Sequence, residues 1–102
     1  MSNKLEEARK IINEVDSRMA QLFVKRMRAA EMVYEYKKEH GLPILDKKRE
    51  EQVILSNSAL IEDENLRSYY IDFITNVMRI SRQYQHSMQE GQKPASEPHT
   101  EI

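Results

Sequence analysis

Residues 22–30 read LFVKRMRAA, and the place of Arg26 among them decides how the chain is read. Leu22 and Ala29 belong to a stripe that runs Leu5, Ala8, Ile12, Val15, Met19, Leu22, Arg26, Ala29 and Val33. Its gaps alternate three and four, which predicts a helix with one seam turned to a partner. A guanidinium keeps its proton, and an unpaired buried charge is expensive. Either the head of Arg26 snorkels to water or a neighbouring acid, or the seam is built to receive an anion.

Working outward, the periodic segment extends from about residue 3 to residue 39 and contains neither Gly nor Pro. Ser2 or Asn3 suits its N-cap. A helix of that span is roughly 55 Å long, more than one small globule can cover, so it predicts a coiled coil or a helix shared with a second chain. HGLP, residues 40–43, ends it: Gly41 suits a left-handed C-cap, and Pro43 bars continuation. A short helix follows with Asp46 as N-cap and Val53 and Ile54 as its apolar contacts. The last helix is expected from about residue 64 to residue 89, with two adjacent stripes. One holds Leu66, Tyr70, Phe73, Val77 and Tyr84; the other holds Ile71, Ile74, Met78, Ser81, Gln85 and Met88. The fold class is therefore all-α, three helices in the order long, short, long. Residues 1–90 form the domain, and residues 91–102, with two prolines, a glycine and no apolar period, read as a disordered tail.

Composition narrows the function. With 16 Lys and Arg against 17 Asp and Glu, the net charge is −1, which gives no general attraction to nucleic acid or to an anionic membrane. No apolar run is long enough to span a bilayer, and charges at Lys4, Glu6, Glu7, Arg9 and Lys10 interrupt any leader-like segment. Cysteine is absent, so neither disulfides nor thiolate chemistry are expected, in keeping with a cytoplasmic location. The three histidines, His40, His86 and His99, are too scattered for a metal site or a triad, and no Gly-rich phosphate loop is present.

What remains is a set of cations and amides at helical spacings. Lys37 follows Arg26 by eleven residues, nearly the same face and about 16 Å further along. Such a pair can hold a small dianion, or Lys37 can simply complement the helix dipole. Arg9 lies about 42 Å from Lys37 along a straight helix, so the two reach one small ligand only from different chains. Asp46, Arg49 and Glu50 in DKKREE read as a solvated helix start with local ion pairs. Ser81 and Gln85 interrupt an apolar stripe at i,i+4 and fit either a core network or a ligand contact.

Taken in order, ARKIINEVD, KRMRAAEMVYEYKK, GLPILDKKREE and VMRISRQYQ resemble the all-α class of chorismate mutases over about residues 5–89. The resemblance implies an intertwined helical homodimer that rearranges chorismate to prephenate in phenylalanine and tyrosine biosynthesis, with no cofactor and no metal. Carried over by position, it implies that Arg26 and Arg9 of the other subunit clamp the substrate carboxylates. Lys37 contacts a carboxylate and the ether oxygen, and Gln85 donates its amide to that oxygen. Arg49 supports the cationic side, Glu50 accepts from the ring hydroxyl with Asp46 close by, and Ser81 assists at a carboxylate. Two other readings stand beside it. One is an isochorismate pyruvate-lyase of the same fold; the other is a non-catalytic helical dimerisation or regulatory module.

Overall fold

A computed structural model describes residues 3–91 of the 102-residue chain. The expected tail, residues 91–102, lies outside the described residues except for Gly91, and Ser2 lies outside them too. The architecture is all-helical: α1 spans Lys4–Glu39, α2 Lys47–Ser58 and α3 Glu64–Gln89.

Each helix begins where its capping residue stands. Asn3 accepts a hydrogen bond from the Glu6 backbone N–H at 2.8 Å, Asp46 from that of Arg49 at 3.1 Å, and Asp63 from that of Asn65 at 2.9 Å. These bonds satisfy donors that a helix start otherwise leaves orphaned. α1 ends in a paired closure around Gly41, whose φ is +65°. The Leu42 N–H returns to the Lys37 carbonyl at 2.8 Å, and the Gly41 N–H to that of Lys38 at 3.4 Å. This is the Schellman arrangement, and the positive φ is what calls for glycine. Between α2 and α3, Arg67 reaches back and donates from Nε and Nη2 to the Ile61 carbonyl at 3.0 and 2.6 Å, tying down the connection.

α3 is the central element. It packs against both α1 and α2, which do not pack on one another. Of its two stripes, the one containing Ile74, Met78, Ser81 and Gln85 is buried, while Leu66 and Phe73 of the other are exposed. Only the second half of α1 joins this core, through Met27, Ala30 and Tyr34. Tyr84 of α3 ties the same region by donating its hydroxyl to Glu31 Oε2, which also accepts from Arg28 Nη1 at 2.6 Å.

The first half of α1 has no such cover. Every residue from 4 to 25 is exposed, including Leu5, Ile12, Val15, Met19 and Leu22 of the expected seam. Thus the seam from Leu5 to Leu22 does not face this chain's own helices; the buried face of α1 lies one position round from the seam. No side chain in the described chain is fully buried. An apolar stripe of this length left in water is a surface made to be covered.

Candidate active site

The cleft between the three helices is assembled from one stretch of each. α1 supplies Arg26, Ala29, Ala30, Val33 and Lys37, and Ile44 and Asp46 come from the α1–α2 connection. α2 supplies Arg49, Glu50 and Val53; α3 supplies Met78, Ser81, Arg82 and Gln85. The cleft encloses about 300 Å³, at the lower end of the range for small-molecule sites. Helical periodicity explains the α1 contribution: residues 26, 29, 30, 33 and 37 recur at three- and four-residue steps and so share a face.

Seven of the eight residues singled out in the sequence line this one cleft; Arg9 does not. It sits on the bare half of α1, where its neighbours are exposed. Arg26 is half-buried and donates from Nη1 to the Ser81 hydroxyl at 2.7 Å, which in turn lies 3.7 Å from Met27 Sδ. A neutral hydroxyl leaves the guanidinium charge unbalanced and most of its donor fork unused. Lys37 Nζ donates to the Ile44 carbonyl at 2.7 Å, which fixes the ammonium while leaving two of its three N–H groups. Arg49 Nη1 donates to Gln52 Oε1 at 3.0 Å. Among the described residues, none of these three cations forms an ion pair.

Two expectations change. Asp46 and Arg49 are not an ion pair: the Asp46 carboxylate caps the helix through the Arg49 backbone instead, because a residue at the N-cap turns its side chain onto the free amides of the first turn. Glu50 is not a solvated helix-start charge with local partners. It accepts from Arg82 Nη1 of α3 at 2.5 Å through Oε1 and 2.6 Å through Oε2, and both side chains are about three-quarters buried (28% of Arg82 and 24% of Glu50 exposed). Arg82 was missed in the sequence. Its only signal is its position beside Ser81, and its partner is 32 residues away on another helix.

Gln85 is the most telling polar group. It is 7% exposed, and its Oε1 is buried without a hydrogen-bond partner. Buried amides are normally paired, so this orphan sets Gln85 apart from the other residues that line the cleft. Turning the amide about its last bond exchanges acceptor for donor at the same position. The cleft therefore combines unpaired cations, a buried amide and an apolar wall of Ala29, Val33, Ile44, Val53 and Met78. Four cationic and two anionic side chains give it a net charge of +2. It can hold a compact, doubly anionic molecule with an apolar body.

The family model for chorismate mutase type II matches residues 8–86. The chain belongs to the chorismate mutase type II family. No individual curated protein and no solved structure matches it. The match spans α2 entirely, all but the first four residues of α1, and α3 up to the residue after Gln85, so the whole cleft lies within the family region. Among the described residues, no group of three or more His, Asp or Glu is placed to hold a metal ion, and no helix is long and apolar enough to cross a membrane.

Proposed function

We propose that this chain is a chorismate mutase that converts chorismate to prephenate, working as an intertwined homodimer. The observation that carries the proposal is the set of three cations, Arg26, Lys37 and Arg49, that have no carboxylate partner among the described residues and line one cleft with the unsatisfied amide of Gln85.

The reaction is a Claisen rearrangement. An ether C–O bond breaks while a C–C bond forms at the other end of the same molecule, with no exchange of atoms or electrons with the protein. Two barriers remain for the protein to lower. The substrate, a flexible dianion, must be held in its compact conformer, and negative charge gathers on the ether oxygen because that bond opens first. Fixed groups answer both: positioning removes conformational freedom, and preorganised donors stabilise the developing charge without reorganising. In this reading Arg26 binds a carboxylate with the fork that Ser81 leaves open. Lys37 meets a carboxylate and the ether oxygen, and Gln85 donates to that oxygen. Arg49 adds positive charge, and Glu50 accepts from the ring hydroxyl near Asp46. A buried neutral amide suits the role of donor because it needs no proton from solution.

Two features of α1 support the dimer. Its first half is an uncovered apolar stripe, and Arg9 stands about 42 Å along the helix from Lys37. A second α1 laid over that stripe covers it and brings Arg9 of the partner subunit toward the cleft. The bare stripe also favours this reading over a free-standing monomer. A pathway role in phenylalanine and tyrosine synthesis, in the cytoplasm, completes the proposal.

The test is a direct assay of chorismate loss with prephenate detection, run beside isochorismate with pyruvate detection. Prephenate formation that falls about 100-fold or more in Arg26→Ala and Lys37→Ala supports the mutase. Pyruvate release from isochorismate with chorismate untouched establishes the lyase instead. Inertness toward both, together with no thermal stabilisation by a bicyclic dicarboxylate transition-state analogue, leaves a helical dimerisation module.

A further inference from the structure

We infer that Arg82 is a positioning residue for Glu50, and that the pair sets the preference for a substrate bearing a ring hydroxyl; this rests on the mutase reading above. Glu50 puts a negative charge into a cleft meant for a dianion. A lone carboxylate there repels the substrate, and a glutamate side chain has three rotatable bonds with which to swing away. Arg82 answers both difficulties from the facing helix. Its Nη1 lies 2.5 and 2.6 Å from the two oxygens of Glu50, so the carboxylate is held at both ends and its charge is offset. Each oxygen keeps a further lone pair, which can accept from a hydroxyl. Arg82 and Gln85 lie three apart on the same face of α3, and Ser81 adjoins Arg82. One helix thus places the ether-side donor directly and the hydroxyl-side acceptor through an intermediary. Counted without Arg82, the cleft of one chain would carry a net charge of +1 rather than the +2 that balances a dianion.

A purely structural strap between α2 and α3 would predict something different, since it would affect all substrates alike. The deciding measurement is the ratio of kcat/KM for chorismate to kcat/KM for the same dianion lacking its ring hydroxyl. The fraction of folded protein cancels from that ratio. In Arg82→Gln the preference should narrow about tenfold, with Arg82→Lys between it and the wild type because lysine keeps the charge but not the rigid guanidinium that fixes where the charge sits. Glu50→Gln should narrow the ratio by itself, and adding Arg82→Gln to it should narrow it no further. If Arg82→Gln fails to fold, Arg82→Lys carries the same comparison. A ratio within twofold of wild type in the Arg82 variants overturns the inference while leaving the mutase intact, and so does a further narrowing when Arg82→Gln is added to Glu50→Gln. A wild-type protein that rearranges neither substrate overturns both.

Discussion

At the scale of single residues, the cleft is defined by groups that lack something. Gln85 has a buried carbonyl oxygen with no donor, and Arg26 spends one of its N–H groups on a neutral hydroxyl. Both were visible in the sequence as polar breaks in apolar stripes, since a stripe's period is a local property that one helix suffices to fix. Arg82 was not visible, because only the crossing of α2 and α3 makes it face Glu50. The neutrality of Gln85 has a measurable effect. A glutamate there donates only when protonated, and burial disfavours its charged form. Gln85→Glu should therefore work best in acid and lose kcat/KM progressively as the pH rises above the carboxylate range, while the wild type shows no such acidic optimum. A pH profile of kcat/KM for both proteins checks this, and matching profiles would remove Gln85 from the ether oxygen.

Elements show where local rules suffice and where they stop. Both ends of α1 and the start of α2 were readable from Asn3, Gly41, Pro43 and Asp46, because caps and stops act through bonds a few residues long. Asp46→Ala should cost about 1 kcal/mol in chemical denaturation, and Gly41→Ala about as much through the strain of a left-handed backbone. Which stripe of α3 turns inward was not readable, since both carry apolar residues at helical spacing. The join of α1 to α3 makes a further prediction. The Tyr84 hydroxyl, and after it the Arg28 guanidinium, hold the Glu31 carboxyl below its usual range, and the bond to Glu31 pushes the Tyr84 phenol up. A depressed carboxyl stabilises the fold above its unfolded pKa and stops doing so as the pH falls through its folded one. A raised phenol contributes below its unfolded pKa and loses that contribution as the pH rises through its folded value. The wild type should thus exceed Glu31→Gln in Tm on a plateau near neutrality. That gap should close as the solution becomes more acidic than about pH 4 and again in alkali above about pH 10. A gap independent of pH would assign the stabilisation to packing.

At the scale of the whole fold, the described residues form an elongated body of 58 × 35 × 18 Å whose longest helix is half uncovered. Its length and a seam turned to something other than the chain's own core were legible in the sequence; that Arg26, Ala29 and Val33 at the end of the seam reach the cleft was not, because that depends on where α3 crosses α1. If a second copy covers it, each cleft uses Arg9 from one chain and Lys37 from the other. Arg9→Ala and Lys37→Ala, each inactive alone, should then complement when co-refolded. Half the dimers would be mixed, and each mixed dimer would hold one intact cleft, restoring about a quarter of wild-type activity. No recovery on mixing would place Arg9 outside the partner's cleft.

The uncovered half of α1 also links catalysis to abundance. With no fully buried side chain among the described residues, a partner would be part of what keeps each chain folded, and separation on dilution would erode shape and turnover together. Rate per molecule would then climb with enzyme concentration until the pairs saturate. A cell making too little of this polypeptide would lose flux faster than it loses copies.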